Sequence, residues 1–156
     1  ELLQTYVHTI NNQVIHVNPK TRLPRNYNRF VGLMEQLFQK SKVPLEKQPL
    51  LILKKSSLKT LIEKIKPSTT IALTRLGKPS TPTKTAQKLG KHKNPVVLIG
   101  GFPRGHFTTE TLKLSNEQVC IDPSGLDAWI TASRILSSYE EAINLPEKRF
   151  STIKKT

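Results

Sequence analysis

Apolar residues recur along the chain with two periods, and each period predicts one kind of element. In one stretch they fall three or four residues apart, at Phe30, Leu33, Met34, Leu37 and Phe38. This spacing is typical of an amphipathic helix, which we predict over about residues 26–40. Three further helices are predicted to begin after Ser57, to end at Leu89 and to span about Leu126–Ile143.

Short runs of β-branched, aromatic or continuous apolar residues predict the strands. They are Thr5–Ile10, Gln13–Val17, Pro49–Leu53, Thr69–Leu73, Pro95–Ile99 and Val119–Ile121. The first two predict an N-terminal β-hairpin, because Asn11-Asn12 between them tolerates the positive φ of a tight turn. From about residue 49 onward strands alternate with helices. This alternation indicates an α/β fold with a mostly parallel sheet and helices on both faces.

The length of the chain, 156 residues, suits a single domain with one core. We divide it into residues 1–48, residues 49–145 and a basic, loosely held tail of residues 146–156. Thr74–Lys84 contains a glycine and two prolines, which predicts a loop. Trp129 lies on the apolar stripe of the last predicted helix, so we expect it in the core or at a subunit interface.

The charge of the chain is strongly positive and unevenly placed. There are 25 Lys and Arg against 11 Asp and Glu, a formal net charge of +14, and residues 1–78 hold 14 of the basic and 4 of the acidic residues. Lysines that serve heat stability are usually balanced by glutamates. The imbalance therefore favours a polyanionic partner, of which nucleic acid is the commonest. Charge alone does not distinguish RNA from DNA.

Composition excludes several other classes of protein. The mean hydropathy is −0.38, and no apolar run approaches the roughly 20 residues of a membrane helix. Residues 1–10 lack the pattern of a secretory signal. The single Cys120 excludes a disulfide framework and a cysteine-based zinc site, and we interpret it as a buried strand residue. His8 and His16 lack carboxylate or cysteine company, so we expect no metal site.

Three arginines, Arg22, Arg25 and Arg29, lie where a predicted loop turns into the first helix. Asn26 can cap that helix. Cations do not stabilise a helix N-terminus, so their presence there calls for another cause. A phosphate-bearing partner is one, because guanidinium groups bind planar, acceptor-rich groups well. An ordinary solvated basic turn is the alternative.

Two turn-rich loops follow predicted strands in the second half of the chain. Gly100–Gly105 follows the most apolar strand, and such loops bind ligands in open α/β sheets. It is neither a P-loop nor a dinucleotide fingerprint, because no Gly-Lys-Ser/Thr follows and Gly100 and Gly101 are adjacent. A simple turn remains the alternative. Asp122–Gly125 forms the second loop. We therefore expect a small-molecule site in the second half and a polyanion site in the first.

Three motifs, in this order, resemble a known family. They are Val14–Asn18, Arg22–Phe30 with Gly32-Leu33-Met34, and Ile99–Gly105. They are similar to those of the ribosome-biogenesis pseudouridine N1-methyltransferases, SPOUT-class enzymes that act on small-subunit ribosomal RNA. The resemblance covers most of the chain and looks closest to the archaeal branch. It implies a C-terminal trefoil knot within residues 49–145, an exception among protein folds.

The resemblance also implies S-adenosylmethionine as cofactor, with S-adenosylhomocysteine as product, held mostly by backbone groups. The matching positions are Leu73, Thr74, Gly100, Gly105, Ile121, Asp122, Pro123, Ser124, Gly125 and Leu126. The second loop departs from the family wording, because Gly125 stands where a proline is usual and Pro123 falls two residues earlier. The family's RNA-contacting arginines match Arg22, Arg25 and Arg29.

The implied partners are small-subunit ribosomal RNA, a second copy of the chain and other ribosome assembly factors. The implied location is the cytoplasm, or the nucleolus in a eukaryote, without metal or membrane. The family's upstream Arg-x-Asp element has no counterpart here, so we expect an N-terminal part to be missing. The rival hypothesis is a non-catalytic RNA-binding assembly factor. A Rossmann-type methyltransferase is disfavoured because the glycine loops come late. No catalytic side chain is predicted.

Overall fold

A computed structural model describes residues 3–46 and 48–153. The chain divides into two compact units, with the boundary between Lys64 and Ile65. The helices are α1 (Tyr27–Lys40), α2 (Leu58–Ile65), α3 (Pro82–Leu89), α4 (Thr109–Lys113), α5 (Ala128–Ala142) and α6 (Leu145–Ile153). The strands are β1 (Thr5–His8), β2 (Gln13–Val17), β3 (Lys42–Val43), β4 (Leu51–Lys55), β5 (Thr69–Pro79), β6 (Pro95–Ile99) and β7 (Glu117–Cys120).

In the first unit, the described strands form one antiparallel sheet in the order β1-β2-β4-β3. β1 and β2 are joined by a tight turn in which the Thr9 carbonyl accepts the Asn12 N–H at 3.1 Å. Asn12 has φ 52°, a left-handed conformation that asparagine tolerates better than most residues. The first predicted strand extended to Ile10, but β1 ends at His8 because the turn begins at Thr9.

The core of the first unit lies between this sheet and α1. Its buried residues are Ile15, Leu37, Leu51 and Leu53. Leu37 is fully buried, and burial of such a side chain stabilises a fold by about 1.5–3 kcal/mol. The predicted α1 is confirmed. Asn26 caps it by accepting the Arg29 N–H at 3.1 Å.

The prediction for the strand near residue 51 was wrong in two respects. It was expected to be buried on both faces of a mostly parallel sheet, yet β4 is antiparallel to both β2 and β3. Leu51 and Leu53 are buried, whereas Lys54 and Lys55 are exposed. A strand with one face on a core alternates in this way. The fold is α/β as predicted, but the parallel sheet is confined to the second unit.

In the second unit, the described strands form one parallel sheet in the order β6-β5-β7. Its core combines strand residues with residues of α3 and α5. The buried members are Ile71, Leu73, Ala86, Leu89, Val119 and Ile135. β6 is the most apolar of the predicted strands, yet all five of its residues are only half-buried.

The predicted loop over Thr74–Lys84 was wrong for most of its length. β5 continues to Pro79 and changes register with β7, so that both Leu73 and Lys78 pair with Val119. Gly77 makes this possible. A Cβ atom on it would lie 2.5 Å from the main-chain carbon of Gln118 and from the main-chain nitrogen of Val119. Only glycine allows two backbones to approach so closely.

The C-terminal helices also depart from prediction. Of the predicted apolar stripe on α5, only Ile135 is buried. Trp129 is 72% exposed, so it is not in the core, and its place at a subunit interface stays a prediction. The basic tail predicted to be loosely held contains α6, whose Arg149 pairs through both terminal nitrogens with Glu140 of α5. The short helix α4 was not predicted. Thr108 caps it by accepting the Thr111 N–H at 3.2 Å.

Candidate functional site

β6 and β7 end at a common edge of the parallel sheet, level with the point at which β5 changes its register with β7. Leu73 on β5 is paired with Ile99 on β6 and with Val119 on β7. The loops after β6 and β7 therefore leave the sheet at the same edge, and Thr74 lies there too, in the irregular part of β5 between its two pairings with Val119. Thr74, the Gly100–Gly105 loop and the loop after Cys120 are the segments predicted to bind a small molecule. The carboxyl edge of a parallel sheet is where open α/β folds bind ligands.

The glycines of the first loop have specific roles. A Cβ atom on Gly100 would lie 2.6 Å and 2.7 Å from two ring atoms of Phe102. Gly105 has φ +89°, a conformation that side chains other than hydrogen disfavour. The ring of Phe102 meets that of Phe107 edge-to-face, with centroids 5.2 Å apart. Glycine at Gly100 thus lets an aromatic pair lie against the main chain of the loop.

The second loop is held by three hydrogen bonds on one residue, Asp122. One carboxylate oxygen, Oδ1, accepts the Ser124 N–H at 2.9 Å, and the other, Oδ2, accepts from Arg134 Nη1 at 2.6 Å. The thiol of Cys120 donates to the Asp122 main-chain carbonyl at 3.2 Å. The Ser124 N–H, followed by the Arg134 guanidinium, lowers the pKa of the Asp122 carboxyl. Asp122 is therefore a charged anchor within the loop.

The other residues predicted to bind the cofactor at this edge differ in how far they are exposed to solvent. Leu73 is buried in the core and Ile121 packs against it, so only their main chains are available to a ligand. Thr74 and Leu126 are half-buried, while Pro123, Ser124 and Gly125 are exposed. No atoms lie within 4 Å of the Cβ positions of Gly101, Gly105 or Gly125. The edge therefore presents mostly main chain and small residues.

Arg134 was missed by the sequence analysis. It lies on α5 and reaches back across twelve residues to Asp122. One signal was available in the sequence. Arg134 is the only basic residue within the predicted helix 126–143.

The predicted arginines form the candidate polyanion site in the first unit. Arg22 and Arg25 lie in the irregular segment before α1, and Arg29 lies in its first turn. All three side chains are exposed, and α1 has no acidic residue in its first turn. Among the ion pairs of the described residues, none involves these arginines. Three cationic groups thus face solvent close to the free N–H groups of a helix N-terminus.

The sequence model of the EMG1/NEP1 methyltransferase family matches residues 1–140. The chain belongs to this family. It is 43% identical over 143 residues to the ribosomal RNA small subunit methyltransferase Nep1 of Thermococcus kodakarensis, covering 92% of this chain and 63% of that protein. The Nep1 of Pyrococcus furiosus is also 43% identical, over 138 residues, covering 88% and 60%.

A solved structure of the family has a similar fold. The crystal structure of Archaeoglobus fulgidus Nep1 bound to S-adenosylhomocysteine superposes with a TM-score of 0.73 at 32% identity. The match covers 89% of this chain and 62% of that one. The chain thus spans about three fifths of the length of these relatives.

Two further features of the described residues bear on the kind of site. No helix in that part of the chain is long and apolar enough to cross a membrane. Residues 3–46 and 48–153 also contain no group of three or more His, Cys, Asp or Glu side chains that could hold a metal ion.

Proposed function

We propose that this chain belongs to an S-adenosylmethionine-dependent enzyme that methylates N1 of a pseudouridine in small-subunit ribosomal RNA during ribosome biogenesis. The observation that carries the proposal is that the predicted cofactor segments all lie at one edge of the parallel sheet, where β6 and β7 end and β5 changes register. The names of the archaeal relatives and the S-adenosylhomocysteine in the Archaeoglobus fulgidus structure support it.

The residues at this edge fit a cofactor held mainly by main-chain groups. Gly101, Gly105 and Gly125 have open space beside their α-carbons, so a ligand can approach the backbone there. Leu73 and Ile121 would contribute main-chain atoms, since their side chains belong to the core. We assign the adenosine and methionine parts to these loops together. We also propose the family's trefoil knot for this region.

The bound S-adenosylmethionine would supply an electrophilic methyl group. The methyl carbon would bond to the pseudouridine N1 as its bond to sulfur breaks, S-adenosylhomocysteine would be the leaving group, and the N1 proton would pass to solvent water. Alignment of the reacting atoms is then the main requirement, and the target base must leave its stack. Such a transfer needs no nucleophilic side chain.

The arginines would bind the RNA. We assign Arg22 and Arg25 to phosphate and target contacts, with Arg29 supporting them. Their guanidinium groups carry no ion pair among the described residues, so phosphate can bind without displacing an internal partner. A guanidinium near the base would also stabilise negative charge as N1 loses its proton.

We further propose a homodimer that binds RNA across both subunits, acts beside other ribosome assembly factors and resides in the cytoplasm. The exposure of Trp129, at 72%, supports a subunit interface on α5, because large aromatic side chains are enriched at such surfaces.

Transfer of a radioactive methyl group from S-adenosylmethionine to matched RNA hairpins tests the proposal. One hairpin carries pseudouridine at the target position and the other carries uridine. We expect label only in the first, on N1. Tight RNA binding without transfer by the folded chain would contradict the enzymatic proposal and favour a non-catalytic assembly factor.

A further inference from the structure

One ion pair ties the second cofactor loop to a helix. Arg134 of α5 donates to the carboxylate of Asp122, and the same carboxylate accepts the Ser124 N–H. Only 24% of the Asp122 side chain is exposed, against 45% for Arg134. The carboxylate therefore stands between the helix and the loop backbone, with one oxygen for each.

We propose that Arg134 is a positioning residue: through Asp122 it fixes the backbone of residues 122–125 in the conformation that binds the cofactor. This inference rests on the proposed function, because it concerns the conformation of the proposed cofactor site before the cofactor binds. It assigns a role to a helix residue that reaches the proposed cofactor site through Asp122.

At the helix end of this ion pair, the packing of α5 holds Arg134 in place. Ile135, the next residue, is 2% exposed and belongs to the same buried cluster as Val119 of β7. The backbone of α5 beside Arg134 is therefore anchored in the core of the second unit. A guanidinium bound at that point limits where the Asp122 carboxylate can lie.

At the loop end of this ion pair, Asp122 forms a hydrogen bond within its own turn. An aspartate that accepts the N–H two residues on closes an Asx turn, which sets the path of the backbone. A freely rotating carboxylate would make that bond part of the time. Held by Arg134, it remains oriented toward Ser124, and charge-assisted hydrogen bonds are stronger than neutral ones. The Cys120 thiol, bonded to the Asp122 carbonyl, adds a third tie.

The other ion pairs of the described residues do not act in this way. Lys59 and Glu63 lie 3.9 Å apart within one helix, and Arg149 joins α6 to Glu140 of α5. Lys88 of α3 pairs with Glu117, the first residue of β7. None of these three pairs holds a loop at the carboxyl edge of the sheet. Arg149→Gln therefore serves as a matched control, because it removes an exposed arginine–carboxylate pair from the same unit without touching the loop.

The test is Arg134→Gln in the full chain, with two readouts. Calorimetry measures the dissociation constant for S-adenosylhomocysteine, and amide hydrogen exchange measures the protection of the Ser124 N–H. We expect the dissociation constant to rise about five-fold and Ser124 exchange to accelerate by a similar factor, as fits loss of one charge-assisted contact. Arg134→Lys should restore part of both, and Arg149→Gln should change neither.

A second set of variants changes Asp122, the partner of Arg134 in the ion pair. Asp122→Asn should produce a similar loss, and the double variant should be no worse than the weaker-binding single variant, because both changes remove one interaction. Additive losses would overturn the coupling. Unchanged binding and unchanged Ser124 exchange in Arg134→Gln would overturn the inference as a whole. If the unaltered chain failed to bind S-adenosylhomocysteine, the proposed function would fail, while Ser124 exchange would still decide whether Arg134 positions the loop.

Discussion

Gly77→Ala is the substitution for which the structure makes the sharpest prediction. Gly77 lies in β5 at the register change beside β7. A Cβ atom there would lie 2.5 Å from the main-chain carbon of Gln118 and the nitrogen of Val119, and 2.7 Å from the Gln118 oxygen. Carbon contacts are favourable at about 3.5–4.0 Å, so the added methyl group would have to force the two backbones apart by about 1 Å.

The expected cost follows from what surrounds the site. Overpacking a core typically costs about 1–3 kcal/mol, and the upper end applies because the clashing atoms are backbone rather than flexible side chain. Val119 cannot move freely, since it is paired with both Leu73 and Lys78 and is 3% exposed. We therefore expect a loss of about 3 kcal/mol, or a fall in melting temperature of roughly 12–24 °C for a unit of this size.

Thermal unfolding followed by circular dichroism measures this loss. The amide NMR signals of Ile71 and Leu89 show whether the second unit unfolds in the same transition. Gly101→Ala is the matched control, because no atom lies within 4 Å of its Cβ position. It should change stability by less than about 0.5 kcal/mol, as surface substitutions usually do. A melting temperature for Gly77→Ala within about 2 °C of the unaltered chain would refute the close approach of β5 and β7, since the expected shift per kcal/mol is larger.

Three further outcomes are expected. Arg25→Ala should weaken RNA binding and reduce the slope of log affinity against log salt by about 0.7, the value for one phosphate of a single strand. Calorimetry should show unchanged S-adenosylhomocysteine affinity, and a loss of both would contradict separate RNA and cofactor sites. Asn26→Ala should cost about 1 kcal/mol in urea unfolding by removing the cap of α1, whereas Asn26→Asp should not. The pKa of Asp122 is lowered in the folded chain. Its stabilising contribution is therefore present above 3.8, the ordinary pKa of an aspartate, and is lost as the pH falls through the lowered pKa of the folded state. Ser124 amide protection should therefore decline in acid, and Asp122→Asn should abolish that pH dependence.

Local chemistry in the sequence was sufficient to predict some elements. The spacing of apolar residues and the capping asparagine specified α1, because both depend on residues within one or two helical turns. Ser57 likewise accepts the Thr60 N–H at the start of α2, as its place before an amphipathic run predicted.

Contacts between distant residues could not be read in the same way. The glycine and prolines of Thr74–Lys84 predicted a loop, but pairing with β7 keeps Thr74–Pro79 within β5. Pro146 was interpreted as the start of an irregular tail, yet proline is compatible with the first turn of a helix, where α6 places it. The approach of Arg134 to Asp122 depends on the path of the loop, which no periodicity encodes.

The candidate cofactor site shows the same division. The glycine loop and the Asp122–Gly125 loop were identified from their composition and from resemblance. Their convergence at one sheet edge depends on the parallel register that pairs Leu73 with Ile99 and with Val119, residues 26 and 46 positions away along the chain.

Calorimetric titration of S-adenosylhomocysteine into the full chain tests the central claim most directly. We predict saturable binding of one molecule per chain. Gly100→Val should abolish it while leaving the circular dichroism spectrum intact, because the added side chain displaces only the exposed ring of Phe102. Absence of saturable binding by the folded chain, or binding that Gly100→Val leaves unchanged, would contradict a cofactor site at the edge of the parallel sheet where β6 and β7 end.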